Sequence, residues 1–155
     1  MLAAEGFQHY EISNWCQGGF ECQHNLVYWH GLPYIGVGVA AHSYIDGHRL
    51  ANTSNLDEYI EDYRNGAIST PVLNEEISRE LQLSEAIILG LRLKQGINLD
   101  SVKKRFGMDV CDLFRPQIEI LTCAGLLELM DGSMYLTARG RLLGNEVFQR
   151  FLPAV

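Results

Sequence analysis

Apolar and polar positions alternate in two distinct rhythms along the chain. From residue 74 onward the helical period dominates: Ile77, Leu81, Ile88 and Leu91 recur at helical spacing, with Asn74 as the cap and Gly96 as the end, and predict one long helix. Asn98 then caps "LDSVKKRF", which Gly107 closes, Asp109 opens a short turn, and Pro116 sits at the first position of "PQIEILTCAG", closed by Gly125. The rhythm changes at "LLELMDGSMYLT", two alternating strands around Asp131-Gly132, a dipeptide suited to a type I′ hairpin turn. Thr137 caps a final helix with Leu143, Val147 and Phe151 on one face. Helices, a hairpin and a closing helix predict an α+β, winged-helix-like domain over residues 74–155.

The first half has a different texture. "LAAEGF" reads as the last turn of a helix, and a helix of ordinary length would have begun upstream of it. It runs into the strand-like "QHYEIS". Residues 24–30 suit a short helical turn, and "GLPYIGVGVAAHSYI" predicts a buried strand with close backbone approach at Gly36 and Gly38. "SNLDEYIEDYRNG" predicts a helix capped by Ser54 or Asn55, with Leu56, Ile60 and Tyr63 on one face and Gly66 as its stop. Residues 1–53 thus look like the end of an α/β pattern. Residues 54–73 are a connecting helix and linker, with the boundary at Thr70-Pro71.

Composition narrows the function classes. A chain of 155 residues that is 47% hydrophobic can bury a core and fits one domain or two small ones. No apolar run approaches the roughly 18 residues of a membrane span, and the first residues lack a secretory pattern, so a cytoplasmic location is expected. The four cysteines form no CxxC pair and are too sparse for a disulfide framework. Residues 1–98 carry 5 Lys/Arg against 12 Asp/Glu, and residues 99–155 carry 7 against 7, so neither part offers a basic surface for nucleic acid. The helix before the hairpin, which would enter a DNA groove, offers only Gln117 and carries Glu119.

Several groupings admit both a chemical and a packing reading. "HNLVYW" at 24–29 gathers His24, Asn25, Tyr28 and Trp29, which suit either a ligand site or a corner of a core. Cys16, Cys22 and His24 are soft metal ligands by type, but C-x5-C-x-H is not a recurrent zinc spacing. "GVGVAAH" holds glycines that would admit a phosphate, yet it lacks the dinucleotide fingerprint and reads equally as a tightly packed strand.

In order, "GFQHYEISNW", "HNLVYW", "YIGVGVAAHSYI", "HRLANTSNLDEYI" and "LTARGRLLGNEVFQRFL" resemble the C-terminal part of the HemW-type haem chaperones. These are radical-SAM relatives of the oxygen-independent coproporphyrinogen III oxidase HemN. The resemblance covers nearly the whole chain. It implies a longer parent with a partial (β/α) barrel, of which this chain holds the last part. The parent would carry a four-iron four-sulfur cluster on a CxxxCxxC motif, absent here, and S-adenosylmethionine bound at that cluster. The parent would bind haem and deliver it to respiratory-chain apoproteins, and this portion alone would be catalytically inert. A severed barrel edge would invite pairing with a second copy.

Further implications concern residues. HNxxYW is the family's haem-associated motif, so His24 becomes the candidate axial ligand to haem iron, Tyr28 and Trp29 pack on the macrocycle, and Asn25 orients His24 or a propionate. Arg49 is a candidate partner for a propionate or a surface arginine paired with Asp46, and His42 is the alternative axial ligand. Gly36 and Gly38 are candidates for close approach to a ligand. Where relatives commonly show a run like GIGAGAH, this chain has "GVGVAAH", so Val39 and Ala40 replace smaller residues. Two other readings remain: the parent is a coproporphyrinogen oxidase that decarboxylates propionate side chains, or the C-terminal domain is an interaction module and the aromatic motif is core.

Overall fold

A computed structural model describes residues 1–66 and 71–153. In chain order, a 3₁₀ turn (Leu2–Glu5) precedes β1 (Phe7–His9), β2 (Trp15–Gln17) and α1 (Gln23–Trp29). Then come β3 (His42–Ile45), β4 (His48–Ala51), α2 (Leu56–Arg64), β5 (Leu73–Glu76) and α3 (Arg79–Gly90). The remainder is β6 (Ile97–Asn98), α4 (Leu99–Phe106), α5 (Val110–Leu113), α6 (Arg115–Cys123), β7 (Leu127–Met130), β8 (Ser133–Leu136), α7 (Ala138–Leu142) and α8 (Gly144–Phe148). The architecture is mixed α and β. All strand pairs among the described residues are antiparallel.

The chain forms two compact units: Met1–Gly31 joined with the described residues from Leu83 onward, and Leu32–Gln82. In the first, α3, α4, α5 and α6 pack with the sheet β6-β8-β7 around a core that includes Leu83, Ile87, Leu91, Leu127, Met134 and Phe151. The hairpin β7–β8 turns on two residues, because Met130 pairs with Ser133. Asp131 and Gly132 both take positive φ (52° and 72°), as a type I′ turn demands. Asn98 caps α4 by accepting from the Ser101 N–H at 2.9 Å, and Gly107 (φ 72°) ends that helix. The N-terminal hairpin β1–β2 joins this unit through a bridge from Glu11 to Leu93 and a bond from the Ile12 N–H to the Arg92 carbonyl.

In the second unit β3, β4 and β5 form an antiparallel sheet in that order. Its first turn, Asp46-Gly47, repeats the chemistry of the hairpin at 131–132: two residues of positive φ (50° and 80°) between Ile45 and its partner His48. Asn55 caps α2 by accepting from the N–H groups of Asp57 and Glu58.

Three expectations change. The helix expected from Asn74 starts at Arg79 instead. Asn74 lies in β5 opposite Leu50, its side-chain oxygen 2.9 Å from His48 Nδ1, and Ser78 Oγ accepts from the Leu81 N–H in its stead. Sheet pairing has claimed the residue that looked like a cap. The strand expected over "GLPYIGVGVAAHSYI" is confined to His42–Ile45, because Gly38 (φ 115°) and Ala40 (φ 57°) take conformations that no strand can hold. Val37 is 86% exposed rather than buried. The final helix breaks at Leu143 (φ −112°, ψ 30°), which is not in the core, whereas Val147 and Phe151 are fully buried. The boundary expected at Thr70-Pro71 falls partly outside the described residues. No helix among those residues is long and apolar enough to cross a membrane.

Candidate functional site

HNLVYW forms most of α1, a helix of seven residues. A helix this short does not persist on its own propensity. It has no side-chain cap at its start and no fully buried residue, so contacts near its C-terminal end must fix it. Arg105 supplies one, its two guanidinium nitrogens donating to the carbonyls of His30 (3.0 Å) and Gly31 (2.5 Å). A cation at that end also suits the helix dipole. Arg92 supplies the second, its guanidinium carbon 4.2 Å from the centre of the Trp29 ring.

His24 and Tyr28 stand one turn apart. Their rings meet edge to face at 4.9 Å between centroids, and the Tyr28 hydroxyl is 3.1 Å from His24 Nε2. The imidazole is exposed, so a planar metal-bearing ligand can reach it from solvent. Asn25, Tyr28 and Trp29 are half-buried. The Trp29 indole N–H and Arg92 Nε are buried without a protein partner. A buried unsatisfied donor costs roughly 1–3 kcal/mol, so this corner of α1 is not ordinary core. The exposed imidazole of His24 and the buried indole N–H of Trp29 belong to different sides of α1. Trp29 and His30 also line a cleft of about 400 Å³, whose other walls are α3, the Gln95–Asn98 stretch and α4.

Glu11 and Arg92 carry no signal in the sequence reading. Glu11 is 1% exposed, accepts from the Ser13 N–H (2.8 Å) and Asn14 Nδ2 (2.6 Å), and pairs with Arg92 at 3.4 Å. Only the presence of a carboxylate within the apolar, strand-like "HYEIS" hinted at it.

The other candidates lie in the second unit and are divided between the faces of its sheet. Gly36, Ser43, Ile45, Leu50, Asn52, Tyr59 and Tyr63 line a largely apolar groove of about 680 Å³. Strand alternation puts His42, Tyr44 and Arg49 on the opposite face from Ser43 and Leu50. Arg49 pairs across the sheet with Glu75 at 3.7 Å, and His42 is exposed at the start of β3. A Cβ at Gly36 would collide with the His42 carbonyl oxygen, so its lack of a side chain serves backbone packing. The Gly38 N–H donates to the Tyr59 hydroxyl at 3.1 Å.

The cysteines do not converge. Cys16 is buried and Cys22 exposed, and burial followed by the Glu21 carboxylate pushes the Cys16 thiol above its ordinary value, which disfavours the thiolate a metal needs. Among the described residues no group of three or more His, Cys, Asp or Glu side chains could hold a metal ion. Gln117, the base-reading candidate, has its side-chain oxygen buried without a partner.

Residues 77–143 match the HemN C-terminal domain family. The haem chaperone HemW of Bacillus subtilis is 35% identical over 97% of this chain, and that of Lactococcus lactis is 35% identical over 98%. HemW of Escherichia coli is 28% identical over 98%. The chain spans about 40% of the length of these relatives. Among solved structures, the radical SAM enzyme coproporphyrinogen III oxidase (HemN) of Escherichia coli superimposes with a TM-score of 0.73 over 99% of this chain and 39% of its own. At 17% identity that match shows a shared fold. Residues 77–143 are thus similar to the HemN C-terminal domain family, and over nearly all of its length the chain is similar to the HemW-type haem chaperones.

Proposed function

We propose that this chain supplies the haem-holding segment and C-terminal domain of a haem chaperone of radical-SAM ancestry, which binds haem and passes it to respiratory-chain apoproteins in the cytoplasm. The observation that carries the reading is α1: a short helix, tied down at its C-terminal end, that presents the imidazole of His24 to solvent beside the Tyr28 hydroxyl. Haem is cargo here. His24 would ligate its iron through a ring nitrogen, Tyr28 would hold that ring through its hydroxyl, and the half-buried Trp29 would pack beside the macrocycle. Asn25, Arg49, His42, Gly36 and Gly38 remain proposed contacts. In this reading residues 1–53 close a partial barrel, 54–73 link, and 74–155 form the winged-helix-like domain. An exposed barrel edge would allow a second copy to pair.

Radical chemistry would reside in the remainder of the parent, where the cluster and S-adenosylmethionine bind. This portion alone is inert. The test is a haem titration followed by absorption, comparing the chain with His24→Ala. A Soret shift that the variant loses supports the reading, and an identical response in both refutes it. A second reading, a coproporphyrinogen oxidase, draws on the likeness to the HemN structure. It predicts propionate decarboxylation by the full-length parent, whereas a chaperone returns the porphyrin unchanged.

A further inference from the structure

Two of the stretches behind the resemblance hold "YEISN" at 10–14 and "HNLVYW" at 24–29, and only the second supplies the proposed haem ligand. The structure joins them. Glu11 is buried, and two neighbours from its own stretch, the Ser13 N–H and Asn14 Nδ2, hold its carboxylate. That carboxylate fixes Arg92 at 3.4 Å, and the guanidinium of Arg92 lies 4.2 Å over the Trp29 ring. The backbone locks the same place, with the Ile12 N–H donating to the Arg92 carbonyl and Glu11 bridged to Leu93.

We propose that Arg92 is a positioning residue for the haem motif: clamped by Glu11, it fixes Trp29 and with it the orientation of α1, the helix that carries His24 five residues earlier. The toward-haem part of this inference rests on the function proposed above. The geometry favours arginine for the task, because a guanidinium can give its edge to a carboxylate while its flat face stacks on an aromatic ring. A helix that lacks a cap and a fully buried residue has little else to define its orientation. The role of the first stretch is then mechanical: it builds the seat for Arg92.

Because the chain has two tryptophans, Trp15→Phe leaves Trp29 as its sole emitter. In that background Arg92→Met and Glu11→Gln should shift Trp29 emission to the red and raise its quenching by acrylamide. Arg92→Lys keeps the ion pair without the flat stacking face and should move the same way by less, which guards against a misfolded Met variant. Val147→Ala, a core truncation that removes none of the Glu11, Arg92 and Trp29 side-chain contacts, controls for general loosening. Haem affinity should fall roughly 3- to 30-fold in Arg92→Met and stay unchanged in Val147→Ala. Emission that moves no further than in the control overturns the inference, as does undiminished haem affinity in Arg92→Met when His24→Ala is defective. A His24→Ala titration identical to the parent chain defeats the haem reading and leaves the emission result to decide the positioning role.

Discussion

Ala40 holds φ at 57°, a left-handed conformation in which a side chain costs about 1–2 kcal/mol. The backbone reverses here before β3, with the Ala40 N–H donating to the Thr53 carbonyl at 2.8 Å. Replacing Ala40 by glycine removes the strain but adds about 0.5–1 kcal/mol of chain entropy on unfolding. The expected outcome is a gain of up to about 1 kcal/mol in stability, read as a higher urea midpoint with an unchanged slope. A lower midpoint would mean that the methyl group is held by packing. The departure at 39–40 was visible in the sequence, but its consequence was not. Nothing local distinguishes a strand that approaches a ligand from a loop that turns back on itself.

Within the helical elements, Asp109 does two things at once. It caps α5 by accepting from the N–H groups of Cys111 and Asp112, and it meets Lys103 of α4 at 2.8 Å. The bond from Lys103 is the main reason the Asp109 carboxyl lies below its ordinary value, and the same bond holds the Lys103 amine above its own. A lowered carboxyl stabilises the fold fully above the ordinary carboxylate range and loses that contribution as acid carries the pH down through its folded value. The raised amine loses its contribution in alkali. Asp109→Asn keeps a competent cap and removes the charge, so a small deficit in melting temperature should appear at neutral pH and vanish at strongly acid pH. A deficit that persists in acid would assign the effect to capping. Elements such as α4, α5 and the hairpin at 127–136 were legible because their caps and turns are local. Asp46-Gly47 carries the same turn signal as Asp131-Gly132 but was absorbed into the apolar stretch before it. Asn74 and Ser78 are both good caps, and only the strand partners of Asn74 decide between them. Glu11 and Arg92 are 81 positions apart, beyond the reach of any local pattern.

On the scale of the whole molecule, the first unit draws its core from both of its stretches and from the last helical turn. Phe151 is fully buried and meets Phe114 edge to face at 5.3 Å between centroids. Phe151→Ala should cost roughly 3–5 kcal/mol, visible as a large fall in the urea midpoint, and a loss under about 1 kcal/mol would show that the C-terminal turn frays independently of that core. The same two-stretch construction has a kinetic meaning. Arg105 lies 75 positions beyond the His30 carbonyl that it holds. At roughly 5–20 residues per second on the ribosome, α1 leaves the synthetic machinery roughly 4–15 s ahead of that arginine. During that interval the carbonyls at its C-terminal end wait for a partner that has yet to be made.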